Sequence, residues 1–478
     1  MTYLTPAGRL QAYIALLLGL VLFTTGTVGQ SLPGDPEPVE PLPRQVIFII
    51  GDGMDEQQIT IARNYLKGAS GRLLLDQMPL LSNSQVLAID DQVDGKPVYV
   101  ADSANTATSM ATGEVTSRSR ISTSAGGDQD IPTIVELAEA AGYRTGLVTT
   151  ASVTDATPAA FAAHISFRLC ESPEAMVNIS YRDIPLGDCS ADLVANGGPG
   201  SISQQLAGSM LDVLLGGGSK HFAANAEGAD IAVVSLAQQN GFRLVTNSAD
   251  LASAKPGQRL LGLFSKNTMP VRLQGEGGRS AEDPEPSLLN RAHPYLGDVT
   301  LPAPMGCEPN PEFDKVPSLR QMTDAALEHL SYDNPRGFFL MIESASIDKQ
   351  SHRRNPCGSI GELAQLEEAL ASALAFAEAH PRTLVLVTAD HSQAAQLVPY
   401  VSLYAAYPIP IYTPGKLARI ITPEGSHMAI NYATNNFMME EHTGASVPLY
   451  SNEEGRGRVP SFVQQPQIFA IMREYLGI

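Results

Sequence analysis

Two clusters of carboxylate and imidazole side chains have the residue types and spacing of metal ligands. Asp348 and His352 are four residues apart, so on a turn of helix they share one face and are able to hold a single ion. Asp390 and His391 are adjacent at the end of an apolar run that predicts a strand. Neutral imidazole combined with carboxylate, without thiolate, is typical of a catalytic zinc site.

A second set of candidate ligands offers only oxygen atoms, the preference of Mg²⁺. These residues are Asp52, Asp155, Thr157 and Glu343. Taken singly, each acid has an ordinary alternative as a helix cap, and a lone histidine is usually a structural or surface residue. The clustering of acids with histidines favours a metal site instead.

Ser103 is the candidate nucleophile. Asp102-Ser103-Ala104 opens a run of small residues that ends at Gly113, which predicts a helix N-terminus with close packing behind it, a place that favours anions. A plain N-cap is the alternative role for Ser103. The sequence has no G-x-S-x-G elbow around Ser103, so metal coordination, which lowers a hydroxyl pKa, is the expected means of activation.

The elements that must position these residues are short apolar strands, each followed by one of the acids. The predicted strands are Gln45–Ile50, Gly146–Thr150, Gly337–Ile342 and Thr383–Thr388, and the clearest helical patterns are Ile131–Ala141, Ser318–Leu330 and Ile360–Ala379. Apolar strands alternating with helices predict an α/β three-layer sandwich, with a central, mostly parallel sheet flanked by helices. Ligands of such sheets bind beyond the carboxyl ends of the strands, where the acids lie.

The N-terminus predicts export. The apolar run Leu10–Phe23 is shorter than the ~20 residues that span a bilayer and is typical of a signal peptide, with an uncleaved anchor as the alternative. We predict a signal peptide over residues 1–29, an extended arm or linker over 30–44, and a single catalytic domain over 45–478 with peripheral insertions at about 195–310. The expected compartment is the periplasm or the exterior, with no stable membrane insertion after cleavage.

The cysteines fit an exported protein. The four cysteines allow three pairings, among which the sequence cannot choose, although the pairing of neighbours is the simplest. They are Cys170, Cys189, Cys307 and Cys357. None of them forms a C-x-x-C pair, which disfavours a thiolate zinc site or a redox motif.

The charge balance excludes several partners. Asp and Glu number 50 against 31 Lys and Arg, a formal net charge of −19. A protein that grips nucleic-acid backbones needs a basic face, and anionic membrane surfaces repel an acidic one. Phosphate chemistry is disfavoured as well, unless the protein imports positive charge, and bound divalent ions would supply it.

Taken together, the candidate residues resemble the bacterial alkaline phosphatases. The similar blocks occur in the same order and extend from about Gln45 to the C-terminus. They are Asp102-Ser103-Ala104, Asp155-Ala-Thr157-Pro158, Asn267-Thr-Met-Pro-Val-Arg272, Glu343-Ser-Ala-Ser-Ile-Asp348-Lys349-Gln-Ser-His352, Thr388-Ala-Asp390-His391 and His442-Thr-Gly444. The block from Glu343 to His352 is the most specific, because it sets three ligands and a lysine in one short segment.

The resemblance implies a metal complement of two Zn²⁺ and one Mg²⁺. One zinc would be held by Asp348, His352 and His442, and the other by Asp52, Asp390 and His391, with Ser103 as a further ligand during the reaction. The magnesium would be held by Asp52, Thr157 and Glu343, with Asp155 close by or acting through water. His442 enters this set through the resemblance alone.

The resemblance also implies an activity, hydrolysis of small-molecule phosphate monoesters through a phosphoserine at Ser103. Arg168 would clamp the phosphate, oriented by Asp102, and Lys349 would contact it through water beside Asp155. The same likeness implies a homodimer and the pairing of neighbouring cysteines. Phosphodiesterases, phosphoglycerate mutases and sulfatases remain as alternatives within the superfamily, and a silent exported phosphate- or metal-binding protein remains as an alternative from another class.

Overall fold

A ten-stranded sheet organises the chain. The structure, a computed structural model, describes residues 43–181, 184–399 and 414–478. The strands of this sheet are β1 (Arg44–Gly51), β2 (Leu80–Gln85), β3 (Arg144–Ser152), β4 (Val213–Gly217), β5 (Arg243–Val245), β6 (Leu260–Leu263), β7 (Gly337–Ser344), β8 (Thr383–Ala389), β9 (Val447–Ser451) and β10 (Phe462–Gln464). Their order is β10-β2-β9-β8-β1-β7-β3-β4-β6-β5, and β9 alone among them runs antiparallel to its neighbours.

Helices cover both faces of the sheet. They are α1 (Glu56–Lys67), α2 (Ser103–Thr112), α3 (Ile134–Ala140), α4 (Ala156–Ala162), α5 (Ile202–Gly208), α6 (Val233–Gln239), α7 (Ser248–Ala252), α8 (Leu288–Ala292), α9 (Leu319–Ser331), α10 (Ser346–His352), α11 (Pro356–Ala379) and α12 (Gln465–Leu476). Successive side chains of a strand point to opposite faces, so β1 contributes Phe48 to one core and Ile49 to the other. The predicted α/β sandwich is confirmed, and each predicted strand and helix lies within a few residues of its observed bounds.

Short strands outside the main sheet form two-stranded sheets and one three-stranded sheet. The pairs are Ala88–Ile89 with Pro97–Val98, Ile179–Tyr181 with Ile184–Gly187, Leu273–Gly275 with Cys307–Pro309, and Glu285–Pro286 with Val299–Thr300; the three-stranded sheet is Gln396–Val398, His427–Tyr432 and Lys416–Ile421.

The region at 195–310, expected to be peripheral, has a double role. It supplies β4, β5 and β6, which form one end of the main sheet, as well as four short strands and α8, which lie outside it. Leu260 and Leu261 are fully buried, so this part of the region belongs to the core.

The two disulfides join Cys170 to Cys189 and Cys307 to Cys357, the pairing of neighbours. Among the described residues, no helix is both long enough and apolar enough to cross a membrane. The predicted signal peptide and nearly all of the predicted arm lie outside the described residues.

Candidate active site

The carboxyl ends of four adjacent parallel strands carry the candidate acids. Asp52 follows β1, Glu343 is the penultimate residue of β7, Asp155 lies three residues beyond β3, and Asp390 follows β8. The register pairs Gly51 with both Ser344 and Ala389, which brings the strand ends to one level. Sheet pairing therefore gathers residues that are hundreds of positions apart in the sequence.

Asp52, Asp390 and His391 form the first ligand group, here called the strand-end group. His391 Nε2 lies 3.4 Å from Asp52 Oδ1 and 3.4 Å from Asp390 Oδ2. The other oxygen of Asp390 accepts from the backbone N–H of Gly53 at 3.0 Å. Gly53 has a φ of +66°, and a Cβ there would lie 2.8 Å from the Gln393 side chain, so glycine lets the turn pass close under the site.

Asp348, His352 and His442 form the second ligand group, here called the helix-loop group. Asp348 and His352 come from one turn of α10, and their facing atoms are 3.3 Å apart. The other carboxylate oxygen of Asp348 is 3.3 Å from His442 Nε2, which lies 3.1 Å from His352 Nε2. The ring of His442 stacks on that of His391 with centroids 3.7 Å apart, so the two groups are neighbours.

Backbone carbonyls fix which ring nitrogen of each helix-loop histidine faces the group. His442 Nδ1 is 2.9 Å from the carbonyl of Ala101, and His352 Nδ1 bonds the carbonyl of Glu440. An N–H that donates from Nδ1 leaves Nε2 free to ligate, the arrangement usual for metal-bound histidines.

Ser103 is the first residue of α2 and is nearly fully buried. Asp102 caps the helix, accepting from the backbone N–H of Asn105 at 3.2 Å, while the Asn105 side chain accepts from the Asp102 backbone at 2.9 Å. This capping box holds Ser103 at the helix N-terminus. Ser103 Oγ lies 3.2 Å from His391 Nε2, so the candidate nucleophile faces the strand-end group.

Arg168 lies beside Ser103's helix and is held by two carboxylates. Its guanidinium donates to Asp102 Oδ2 and Asp155 Oδ1, each at 3.1 Å. The second oxygen of Asp155 accepts from Lys349 Nζ at 2.5 Å. These contacts join the predicted substrate-binding residues into one chain of charged hydrogen bonds.

Thr157 lies close enough to Glu343 for its hydroxyl to act against the rise in the pKa of that carboxyl. Thr149 of β3 also donates to Glu343 Oε2. The structure thus brings these two predicted magnesium ligands together near the ends of β3 and β7.

The electrostatics of the strand-end group favour bound cations. Burial, together with the nearby carboxylates of Asp348 and Asp390, raises the pKa of Asp52 well above its ordinary value. Burial raises the pKa of Asp390 to about 6 and, with the charge of Asp155, that of Glu343 to about 8. Carboxylates that repel one another in a buried place are stabilised by a bound cation.

The helix-loop group is electrostatically different. Burial opposes protonation of His442, but its hydrogen bond to Asp348 and that group's charge outweigh burial and raise the pKa of His442 to about 9. Burial alone would raise the pKa of Asp348, but the charges and hydrogen bonds of His352 and His442 hold this pKa well below its ordinary value. An internal ion pair thus partly neutralises this group.

Two orphaned oxygens show that the strand-end group fits a metal ion. Among the described residues, Asp52 Oδ1 and Asp390 Oδ2 are buried and have no hydrogen-bond partner, and both point toward His391 Nε2. Buried carboxylate oxygens are rarely left without a partner. With Ser103 Oγ beside them, they make a donor set of three oxygens and one nitrogen, which suits Zn²⁺.

The family of the chain follows from comparison of its sequence with known proteins. Residues 43–465 match the family described as Alkaline phosphatase. The chain belongs to the alkaline phosphatase family. The alkaline phosphatase of Escherichia coli is 39% identical over 443 residues, covering 91% of this chain and 86% of the relative. The streptomycin-6-phosphate phosphatase of Streptomyces griseus is 38% identical over 446 residues, covering 91% of each.

Solved alkaline phosphatases share the fold. The enzyme of the Antarctic bacterium TAB5 aligns with a TM-score of 0.62 at 21% identity, over 91% of this chain and 98% of that one. The Thermus thermophilus alkaline phosphatase also aligns with a TM-score of 0.62, at 19% identity, over 94% and 96% of the two chains. The predicted family and enzyme class, an alkaline phosphatase that hydrolyses phosphate monoesters, are confirmed.

The candidate site also contains residues that the sequence does not reveal. Gln393 donates its side-chain N–H to Asp348 Oδ1, and its backbone N–H to Asp55 Oδ2 at 3.1 Å. Two more residues support candidate ligands in a similar way. The Thr149 hydroxyl donates to Glu343, and the carbonyl of Glu440 accepts from His352 Nδ1. Their positions in the sequence carry no distinctive spacing, although Gln393 stands two residues after His391.

Proposed function

We propose that the protein hydrolyses phosphate monoesters by transferring the phosphoryl group to Ser103 and then to water. The position of Ser103 is the observation that carries this proposal. Its hydroxyl is buried, lies at the N-terminus of α2 and is 3.2 Å from His391 Nε2. Arg168, oriented by Asp102 at 3.1 Å, lies beside the same helix and provides the cation for the phosphoryl oxygens.

We assign the metal ions to the groups already described. The strand-end group and the helix-loop group would each hold one Zn²⁺, while Asp52, Thr157 and Glu343 would hold Mg²⁺, with Asp155 nearby. When bound, such ions lower the pKa of a coordinated hydroxyl or water and stabilise charge on a leaving oxygen. The orphaned oxygens of Asp52 and Asp390 support the first assignment.

The protein's residues then act in two in-line displacements. Ser103 loses its hydroxyl proton as Oγ attacks phosphorus, the ester P–O bond breaks on the opposite side, and the leaving oxygen departs as an alcohol after taking up one proton. Water next attacks the phosphoserine, the Oγ–P bond breaks to release inorganic phosphate, and one proton of that water restores the Ser103 hydroxyl. Arg168 is suited to hold two non-bridging oxygens at once, because the loose transition state concentrates charge on them and guanidinium is bidentate. Two inversions predict net retention at phosphorus.

The test is trapping of the phosphoenzyme. Acid quenching during turnover of p-nitrophenyl phosphate should yield a phosphopeptide that contains Ser103, and Ser103→Ala should lose it together with turnover while retaining bound zinc. Ser109→Ala is the matched control, since Ser109 is buried in the same helix but bonds the Asn105 carbonyl at 3.0 Å. A folded Ser103→Ala that kept activity within about threefold of wild type would refute the covalent mechanism, because losing a nucleophile costs far more.

We also propose that the protein is exported and acts as a homodimer. The two disulfides and the apolar run Leu10–Phe23 support export, since disulfides persist in oxidising compartments. Cell fractionation with N-terminal sequencing of the mature chain tests export, and sedimentation equilibrium of that chain tests the dimer.

A further inference from the structure

One loop, residues 434–442, contains one histidine of the helix-loop group and contacts the other. The backbone N–H of Glu440 donates to the carbonyl of His352 at 2.9 Å, and the Glu440 carbonyl accepts from His352 Nδ1. His442 follows two residues later in the same loop. The position of Glu440 therefore sets the ring orientation of one ligand and the approach of the other.

The side chain of Glu440 is fully buried and ties the loop to itself. One carboxylate oxygen accepts from the backbone N–H groups of Thr434 at 2.5 Å and Asn435 at 3.2 Å, and from the Thr434 hydroxyl. The other oxygen accepts from Arg354 Nε at 2.7 Å. These bonds pair both oxygens of the carboxylate, whose burial would otherwise be costly.

The guanidinium of Arg354 donates hydrogen bonds to several residues of the same loop. Arg354 is 5% exposed, and its remaining donors reach the carbonyls of Phe437 at 2.8 Å and Met438 at 3.2 Å, and Asn435 Oδ1 at 3.5 Å. Arg354 has a φ of +56°, a conformation that a long side chain seldom adopts. The surrounding bonds hold it there, two residues after His352.

Polar bonds dominate because the tip of the loop has little apolar packing. Phe437, Met438 and Met439 are 60%, 39% and 41% exposed. The loop cannot be held by burial of these side chains, so the Arg354–Glu440 ion pair and its backbone bonds have to fix it. Neither residue reaches the phosphate-binding residues Arg168 and Lys349 through any hydrogen bond described for it.

We propose that Arg354 and Glu440 are positioning residues that set the affinity of the helix-loop group for zinc. They do so by holding His442 and the Nδ1–H acceptor of His352 in the arrangement that directs both Nε2 atoms at one ion. The inference rests on the proposed zinc site. Partners of this kind outside the ligand shell typically change metal affinity by about 10- to 100-fold.

The experiment is competition for zinc between the folded enzyme and a chelator of known affinity. Arg354→Asn removes the guanidinium while keeping a residue that tolerates a positive φ, so it adds no backbone strain. We expect one zinc equivalent to be lost at a chelator concentration lower by about 10-fold or more, with the other equivalent shifted less than about threefold. Arg354→Lys should rescue only part of the affinity, because an ammonium cannot reproduce the fork of donors.

Substitution of cobalt for zinc adds a readout that is independent of activity. The visible absorption band of Co²⁺ in the weaker site should change shape in Arg354→Asn and Glu440→Gln, since ligand geometry changes. If Arg354→Asn does not fold, Glu440→Gln, which keeps the shape of the side chain, carries the test. Arg63→Asn is the matched control. Arg63 lies on α1 and donates to the carboxylate of Asp76 through two guanidinium nitrogens, at 2.6 and 2.7 Å, so this variant also breaks an Arg–carboxylate ion pair.

Three outcomes decide against the inference or its basis. Zinc curves of Arg354→Asn and Glu440→Gln that coincide with wild type would overturn it, as would an equal loss of affinity in Arg63→Asn. A wild-type protein that bound no zinc would instead refute the proposed zinc sites themselves. The failure of the inference is thus distinguishable from failure of the proposed function.

Discussion

The strand-end group and the helix-loop group use the same kinds of donor but are built by different means. Asp52 and Asp390 follow adjacent parallel strands, whose register from Gln45 to Gly51 fixes their separation. The side chains of this group are at most 3% exposed. Its geometry is therefore set by the hydrogen-bonded register of the central sheet.

The helix-loop group combines a local element with a distant one. Asp348 and His352 share a turn of α10, whereas His442 is 90 residues away from His352 and arrives on a loop. Its side chains are 6–18% exposed. Elements with more solvent contact and fewer apolar neighbours open at lower free energy. If both groups hold zinc as proposed, we expect the ion of the helix-loop group to exchange more easily than that of the strand-end group.

The largest expected effect is on catalytic activity, which should fall further when the strand-end group is changed than when the helix-loop group is changed. His391→Gln should lower kcat/KM for p-nitrophenyl phosphate by at least about 10³-fold, because it removes a ligand next to Ser103 Oγ, and a metal supplies several kcal/mol to such a reaction. His442→Gln, which changes a ligand on the looser group, should cost less. Assays at saturating zinc, with His164→Gln as a control outside both groups, would measure this. A larger loss in His442→Gln would reverse the comparison.

The second effect concerns metal exchange. On addition of excess chelator to the zinc-loaded enzyme, the helix-loop group should release its ion at least about tenfold faster than the strand-end group, a difference of ~1.4 kcal/mol in barrier. The greater exposure of its side chains is the reason. Stopped-flow measurement of released zinc should show two phases of equal amplitude. A single phase would mean that the two groups open together, and the contrast drawn from burial would then be wrong.

The third effect separates anion binding from metal binding. Arg168→Ala should weaken inhibition by inorganic phosphate by about 10- to 100-fold, because charge-assisted hydrogen bonds contribute roughly 1.5–3 kcal/mol. Zinc content should not change, because Arg168 bonds Asp102 and Asp155 and neither ligand group. Arg168→Lys keeps the charge without the bidentate geometry and should fall between the two. Unchanged inhibition in Arg168→Ala would remove its assigned role.

The contrast between the two groups also explains what could be predicted from the sequence. Apolar runs that end in Asp52 and Asp390 predict a shared sheet edge, since parallel strands end together. Asp348 and His352 follow from the helical period. His442 was found only through the family resemblance, because no local rule determines which residue closes a long loop.

The same limit applied to the supporting residues and to part of the sheet. Arg354 and Glu440 are ordinary charged residues in sequence, and only the fold shows that they are buried against each other. The three-residue strand β5 and the four-residue strand β6 are too short for a clear apolar period, so the sequence alone does not indicate their place at the end of the sheet. Long, strongly apolar strands such as β1 and β7 were predictable because burial on both faces leaves little choice of residue.

The smallest expected effect is on the pH dependence of the free energy of unfolding. It comes from a histidine outside both ligand groups. His164 Nε2 lies 3.1 Å from Glu136 Oε1. Burial lowers the pKa of His164, but the hydrogen bond that its ring donates to Glu136 outweighs burial, and the net direction is upward. Burial by itself raises the pKa of Glu136, but the hydrogen bond that Glu136 accepts from His164 outweighs burial, and the net direction is downward. The two shifts therefore describe one ion pair.

The sign of the pH effect follows from both shifts. Because the pKa of His164 is raised, this group stabilises the fold at pH values below its ordinary 6.5, and the stabilisation is lost as pH rises through the folded pKa. Because the pKa of Glu136 is lowered, this group stabilises the fold at pH values above its ordinary 4.5, and the stabilisation is lost as pH falls through the folded pKa. Glu136→Gln, which keeps the cap on Thr133, should therefore cost most between these values, by less than about 1 kcal/mol because Glu136 is 46% exposed. Urea unfolding of both proteins at equal zinc loading measures the difference. A cost that grew from pH 6.5 to 9 would show that the ion pair is not its source.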